Sequence, residues 1–355
     1  MCGIFGVINF DGQPVDKEKV LSARDVLAHR GPDDSGIYYS TLNPLTSNNP
    51  TNIVLAHRRL SIIDLSPAAH QPMTTEDGRY TIVFNGEIYN YGELRGAVSG
   101  KQLAISQKQF RTNSDTEVIL KLFALEGPEC LNYLRGMFAF AIWDDKEKKL
   151  FAARDRFVIK PFYYLHNEKE FIFSSELKAI KHYKNGLTIS MEGMDAFLKT
   201  GSVTAPLTIY EETKALPPGY HLEIKNEELT IKNYWTFLDL LNSCHTSTGL
   251  SMTATESLRG VQRRSNLHYD DDAKKEIRNS LLGTIKAHMV SDVEVGAFLS
   301  GGIDSTAIVS LMRQAGHEKI KTISVTFPGN KLDESKYSNL AAKKYETDHS
   351  LIHRI

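Results

Sequence analysis

Cys2 stands directly behind the initiator methionine, a position with chemical consequences. Removal of Met1, normally trimmed ahead of a small second residue, would leave a thiol and a free α-amine on one residue. A terminal amine titrates near ~7.7–8.0, against ~10.4 for a lysine, so far more of it is neutral near pH 7. It can take the thiol proton, directly or through a water, which makes the pair a nucleophile with its own base. The competing reading is a buried N-terminal cysteine without chemistry. A nucleophile that attacks an amide also needs an oxyanion hole and a grip on the rest of its substrate. Asn85 can donate a side-chain N–H, and Gly86 a backbone N–H with no side chain in the way, although Asn-Gly is equally a type I′ hairpin pair. Arg59 presents a planar fork suited to a carboxylate, or a surface salt bridge. Asp115 supplies a counter-charge for an ammonium, or an N-cap, a role that Ser114 could fill instead.

A second group lies near the other end. Ser291–Leu299 leads into Ser300-Gly301-Gly302-Ile303-Asp304-Ser305. A Gly-rich turn between a buried strand and a helix points backbone N–H groups at an anion, and the helix dipole adds to the attraction. No Gly-Lys-Ser/Thr follows, so this is not the common phosphate loop. A Ser/Gly turn that merely caps a helix is the plainer alternative.

These residues need two scaffolds. The chain has 355 residues, enough for two domains, with 42 basic against 43 acidic side chains. That balance gives no basic surface for nucleic acid. Three cysteines, Cys2, Cys130 and Cys244, form neither a disulfide framework nor a metal-spaced cluster, which suits a reduced, cytoplasmic protein. The apolar start lacks a signal peptide's basic flank, and the longest apolar run, Met137–Trp143, is too short to span a membrane. In the first half, Ile4–Asn9, Ile53–Ala56, Tyr80–Phe84, Met137–Trp143, Leu150–Ala153 and Phe171–Ser174 read as strands. Val20–Leu27 and Thr116–Leu125 carry helical spacing, the latter with Ser114 as N-cap and Glu117 as its capping-box partner. A layered α+β domain over residues 1–200 is expected, then a connector over 201–269 with the turn Leu216-Pro217-Pro218-Gly219. Within it Ser243–Asn266 reads as a mobile loop with no chemistry. From residue 270, Asp271–Met289, Asp304–Ala315 and Asp333–Tyr345 read as helices and Val293–Leu299 and Thr322–Phe327 as strands, with a third strand opening near Ile355. Crossovers of that length predict a parallel sheet.

Met1 to Thr200 resembles the glutaminase domain of class II, N-terminal-nucleophile glutamine amidotransferases. The resemblance rests on Cys2-Gly3-Ile4-Phe5-Gly6-Val7, Arg30-Gly31-Pro32-Asp33-Asp34, His57–Asp64, Asn85–Asn90 and Ser114-Asp115-Thr116-Glu117, in that order. It implies a four-layer αββα fold, with Cys2 as nucleophile and Asn85 and Gly86 as the oxyanion hole. Arg59 and Asp115 would hold the carboxylate and ammonium of glutamine, with backbone of Ile62 and Ile63 and with Glu87 lining the pocket. The Arg30–Asp34 loop receives no individual roles. Ser300–Ser305 resembles the pyrophosphate-binding loop of ATP pyrophosphatases, which implies ATP held by Ser300, Gly301, Gly302, Asp304 and Ser305. Phe298 and Val325 would meet the adenine, and Asp304 would help to hold Mg²⁺.

The two halves together resemble glutamine-hydrolysing asparagine synthetases, as do Met137–Asp144, Ala153–Phe157, Pro161–Tyr164 and Ser174–Lys178. That resemblance implies glutamine, aspartate and ATP as substrates. Adenylation of aspartate would release pyrophosphate, and ammonia freed at Cys2 would displace AMP to give asparagine. Alternatives are an amidotransferase of the same architecture with another acceptor carboxylate, or a glutaminase carrying a non-synthetic ATP-binding module. No nucleic-acid or membrane partner is expected, and a homodimer or a completing polypeptide remains open. Val158 departs from the family, which generally has Gly there; a φ above zero would strain a β-branched residue, and a tolerated surface change is the expected reading. Residues 270–355 are expected to be only the first part of the synthetase domain. Glutamine hydrolysis is therefore expected from this chain, with asparagine formation weak or absent without a second polypeptide.

Overall fold

A computed structural model describes residues 1–42, 51–100, 110–238, 271–327, 329–330 and 333–353. The chain divides into two units, Met1–Cys244 and His245–Ile355. The loop expected over Ser243–Asn266, with Cys244, lies outside the described residues.

In the first unit, β1 (Gly3–Asn9), α1 (Lys17–Asp25), β2 (Asp34–Ser40), β3 (Ile53–Arg59), β4 (Met73–Thr74) and β5 (Tyr80–Ile88) come first. Helices α2 (Tyr91–Gly100) and α3 (Asp115–Glu126) follow, then β6 (Gly136–Asp144), β7 (Lys149–Arg154), β8 (Tyr163–His166) and β9 (Glu170–Ser174). The unit closes with α4 (Leu177–Tyr183), α5 (Met191–Thr200), β10 (Thr213–Ala215), β11 (Tyr220–Lys225) and β12 (Glu228–Asn233). One sheet has the order β10-β8-β9-β1-β3-β2 and the other β12-β11-β7-β6-β5-β4.

Apolar side chains sort these elements into layers. Ile4, Ile8, Leu55 and Phe173 of the first sheet bury against Val83, Ala141, Trp143 and Ala152 of the second. The outer face of the first sheet, with Phe5, Val7 and Val54, takes Val20 and Ala23 of α1 and Ala179 and Ile180 of α4. The outer face of the second, with Ile82, Phe84 and Phe140, takes Val118, Leu122 and Phe123 of α3. This is the αββα arrangement. Because the central strands are covered on both faces, they read as continuous apolar runs and not as alternating ones.

The first unit runs past Thr200, where the sequence reading ended it. β10 extends one sheet beside β8, and β11 and β12 extend the other beyond β7, so these three segments of the expected connector belong to the sheets of the first unit. The capping-box expectation also changes. Ser114 does cap α3, its Oγ accepting from Thr116 N at 3.0 Å. The Glu117 carboxylate, however, accepts from Arg111 N at 3.0 Å and Thr112 N at 2.8 Å, closing the approach to the helix instead of its own cap.

The second unit, described by itself, holds α6 (Asp271–His288), β13 (Gly296–Phe298), α7 (Ile303–Gln314), β14 (Lys321–Thr326), α8 (Ser335–Tyr345) and β15 (Asp348–His353). Its three strands are parallel in the order β13-β14-β15, as the crossover lengths predicted. β13 is shorter than the expected Val293–Leu299 strand. Leu299, Val309, Met312, Ile320, Ala341 and Ala342 form its core.

Candidate active site

Every residue assigned to the first constellation borders one cleft: Cys2, Arg59, Ile62, Ile63, Asn85, Gly86, Glu87 and Asp115, joined by Met1, Leu60, Gln71 and Lys160. The Cys2 sulfur accepts from Leu60 N at 3.5 Å and lies 3.7 Å from Leu60 O. Burial pushes the thiol pKa up, while the Leu60 contact and the N-terminal charge pull it down. Burial lowers the pKa of the Met1 ammonium; Cys2 opposes that, and Lys160 and Arg30 reinforce it. Arg30 is a residue the sequence reading left without a role. Its Nε donates to Cys2 O at 2.9 Å and its Nη1 to Glu176 Oε1 at 2.9 Å, so it fixes the backbone behind the thiol. The Arg-Gly-Pro-Asp motif was the available signal. In the same loop Asp33 accepts from Ser61 N at 2.8 Å, which holds the segment carrying Ile62 and Ile63.

Asn85 and Gly86 lie inside β5, paired with Ala139 and Phe138 of β6, so the hairpin-turn alternative falls away. The pleat then dictates direction. Along a strand, backbone N–H groups point alternately to the two edges. Phe84 N donates to Gln71 Oε1 at 2.7 Å and Ile88 N to Asp115 Oδ2 at 3.0 Å, both away from β6. Gly86 lies midway, and its N–H points to the same edge. Its neighbour Phe138 spends both backbone groups on Asp155, away from β5, in agreement with that alternation. A Cβ at Gly86 would lie 2.2 Å from Met137 O, so only glycine fits. Asn85 is 0% exposed, and neither its Nδ2 nor its Oδ1 has a protein partner. A buried amide without partners costs free energy unless something else binds it.

Arg59 is buried, not a surface ion pair. Nη1 donates to Ser66 O at 3.2 Å, and Nη2 donates to the carbonyls of Ile63, at 3.4 Å, and Asp64. These bonds orient the guanidinium without neutralising it, and a carboxylate is its natural counter-ion. Asp115, at the first position of α3, is equally buried. Burial, with help from the Glu87 charge, pushes its carboxyl up to about 7 against the backbone N–H of Ile88 and Thr116.

Lys160 was missed as a site residue, although it lies between Ala153–Phe157 and Pro161–Tyr164, two segments that carry the family resemblance. It is 4% exposed, and burial lowers its pKa against the charges of Glu87 and Cys2. The turn that delivers it is tightly tied. Asp155 accepts from the N–H groups of Phe157 at 2.9 Å, Ile159 at 3.0 Å and Lys160 at 2.8 Å, and Arg154 Nε donates to Lys160 O at 2.8 Å. At the apex Val158 adopts φ +62°, a conformation that strains a β-branched residue, in place of the tolerated surface change expected there. Left-handed backbone costs a non-glycine residue about 1–2 kcal/mol, and glycine's extra unfolded freedom returns roughly 0.5–1. Val158→Gly should therefore stabilise the unit by up to about 1 kcal/mol, raising the melting midpoint by about 2–4 °C. Calorimetry showing an unchanged or lower midpoint would refute the strain argument.

In the second unit, Ser300 and Gly301 join β13 to α7. Gly301 has φ +84°, and a Cβ there would lie 2.4 Å from Ser338 N, so the loop presses against α8. Ser300 Oγ and Ser305 Oγ are 3.0 Å apart, and Gly302 N donates to Ser300 Oγ at 3.3 Å. Phe298, Ser300 and Val325 share a cleft with Ser324, Glu334 and Ser338; Gly301, Gly302, Asp304 and Ser305 do not border it. Asp304 is exposed, in the first turn of α7. Among the described residues, no group of three or more His, Cys, Asp or Glu could hold a metal. Nor is any described helix long and apolar enough to cross a membrane.

Comparison with known proteins gives the following. The family model described as glutamine amidotransferase domain matches residues 1–235, and the model described as asparagine synthase matches residues 276–354. Glutamine-hydrolysing asparagine synthetase 1 of Bacillus subtilis is 35% identical over 92% of this chain and 46% of its own length. Glutamine-hydrolysing asparagine synthetase 3 of the same organism is 32% identical over 93% of this chain and 49% of its own length. The chain thus spans about half the length of these curated relatives. Among solved structures, the glutamine PRPP amidotransferase of B. subtilis matches with TM-score 0.48 and 19% identity over 66% of this chain and 50% of that one.

Proposed function

Because this chain belongs to the glutamine amidotransferase domain family, we propose that its first unit hydrolyses glutamine at Cys2 and that its second binds ATP for asparagine synthesis. The observation that carries the first part is Asn85, an amide buried beside Cys2 with no protein partner for either polar atom. With Met1 removed, the α-amine of Cys2 takes the thiol proton, and the thiolate attacks the side-chain amide carbon of glutamine. The oxyanion that forms is met by Asn85 Nδ2 and the Gly86 N–H. Collapse expels the amine, protonated by the α-ammonium, as ammonia, and water then releases glutamate from the thioester. Arg59 takes the substrate carboxylate and Asp115 its ammonium, while Arg30 fixes the Cys2 carbonyl behind the thiol.

The pH dependence follows from Asp115. Only its carboxylate attracts an ammonium, and the carboxyl titrates at about 7. Glutamine binding is therefore full above that pH and weakens as pH falls through it. The KM for glutamine should rise by up to tenfold per unit of pH below about 7, whereas loss of the amine base lowers kcat. Steady-state kinetics from pH 5.5 to 8.5 separate the two, and a KM flat across that range would remove Asp115 from ammonium binding.

For the second unit, the strand–turn–helix at Ser300–Ser305 supports ATP binding, with Phe298 and Val325 toward the adenine. Mg²⁺ usually takes one or two carboxylates plus substrate phosphates, so Asp304 suits a Mg²⁺ held chiefly by the nucleotide. Bound there, the ion neutralises phosphate charge. The implied chemistry is adenylation of the aspartate side chain and displacement of AMP by ammonia. The test follows glutamate and asparagine together while the purified chain is given glutamine, aspartate and Mg-ATP. Glutamate release that depends on Cys2 is the expected result, and a folded, processed protein that releases none would overturn the reading. Asparagine formation that fails with ATP omitted would support the second half; asparagine never forming with a completing polypeptide present would count against it.

A further inference from the structure

Gln71 belongs to none of the motifs that carry the chemistry, yet it touches both sides of the Cys2 cleft. Its side chain is 4% exposed. Oε1 accepts from Phe84 N at 2.7 Å, and Nε2 donates to Thr116 Oγ1 at 3.2 Å. Phe84 immediately precedes Asn85, and Thr116 immediately follows Asp115. The amide orientation is set by chemistry, because Phe84 N is a donor and only the amide oxygen can answer it.

The edge of β5 explains why such a group is needed. β4 pairs only with Thr81 and Ile82, so among the described residues the strand has no neighbouring strand on that side where it reaches Asn85. Side chains take the place of one. Phe84 N goes to Gln71, the His57 ring nitrogen Nε2 meets Phe84 O at 3.0 Å, and Ile88 N goes to Asp115. The Ile88 bond ties the far end of the edge to Asp115 itself, and Gln71 ties the Phe84–Asn85 end to the next residue of α3, Thr116.

Resting on the glutaminase reading above, we propose that Gln71 is a positioning residue that sets the spacing between Asn85 and Gly86 and the ammonium anchor Asp115. A substrate that reaches both must match one distance. Displacing either side by about 1 Å can cost on the order of 10²-fold in rate.

The test compares glutamine with glutaramate, the same amide without the α-ammonium. Gln71→Met keeps the volume and removes both bonds; Thr116→Val removes only the tie to α3. With glutamine, Gln71→Met should lower kcat/KM about 10²-fold, and Thr116→Val should act mainly by raising KM. With glutaramate, which does not engage Asp115, both variants should fall by less than tenfold from the wild-type value for that substrate. In a cycle with Asp115→Asn, the losses with glutamine should be less than additive. Equal losses on both amides, or kcat/KM for glutamine within twofold of wild type in folded variants, would overturn the assignment. Should Gln71→Met fail to fold, Thr116→Val decides on the same comparison. A wild-type chain that releases no glutamate would instead sink the glutaminase reading itself.

Discussion

Cys2→Ala is expected to stop glutamate release, lowering the rate by about 10⁴-fold or more, while glutamine still binds within a few fold. The split follows from the geometry. The proposed carboxylate and ammonium anchors, Arg59 and Asp115, are buried on β3 and α3 and owe nothing to the thiol for their orientation. Removing the sulfur takes away the bond-forming atom and leaves the cleft otherwise intact. No other cysteine among the described residues can substitute. Cys130 is fully buried in the core beneath α3, where burial pushes its thiol pKa far up and leaves it inert. Mass spectrometry of the wild-type protein should show Met1 absent, and calorimetry of Cys2→Ala should show retained glutamine affinity. Turnover by the alanine variant above a hundredth of the wild-type rate would remove Cys2 from the nucleophile role.

Cys2 stood out in the sequence as a candidate nucleophile because that chemistry depends on position along the chain. The central strands were legible for a different reason: β1 and β6, and β3 over Ile53–Ala56, are covered on both faces, so nearly every residue in those stretches is apolar. What failed to show were the edges. β2, with Asp34, Ser35 and Ser40 among its residues, and β12, exposed along most of its length, carry too little apolar signal to be read as strands. They form because a neighbouring strand offers its hydrogen bonds, and the boundary at Thr200 was misplaced for that reason. The Asn85-Gly86 pair illustrates the limit of local preference, since its turn tendency is overridden by β6 alongside. At Val158 the glycine usual at that place raised a positive φ as a condition for strain, while a tolerated surface change was the expected reading; the φ of +62° meets the condition. Arg30 and Gln71 were not assigned, because their contacts to Cys2 O, Phe84 N and Thr116 Oγ1 span 28, 13 and 45 residues. Contacts of that separation follow from the packed layers, not from any pattern along the chain.

Asn85→Ala should lower glutamate release by about 10²–10³-fold with little change in KM, the loss expected for one oxyanion donor. The residual rate reflects the second donor, Gly86, whose N–H stays aimed along the same strand edge. Stability supplies a second and independent reading of this variant. If Asn85 were retained to hold the fold together, its removal would break bonds and lower the melting midpoint. Neither polar atom of Asn85 has a protein partner, although the side chain is 0% exposed. Burying such an amide unpaired costs about 1–3 kcal/mol, so alanine should leave stability unchanged or raise it. The expected signature is thus a severe loss of rate in a protein at least as stable as the wild type. A destabilised variant with a near-normal rate would mean that the amide serves the β5–β6 pair and not the reaction. A loss of both would mean that the cleft collapses without it, and glutamine binding by calorimetry would show that directly as lost affinity.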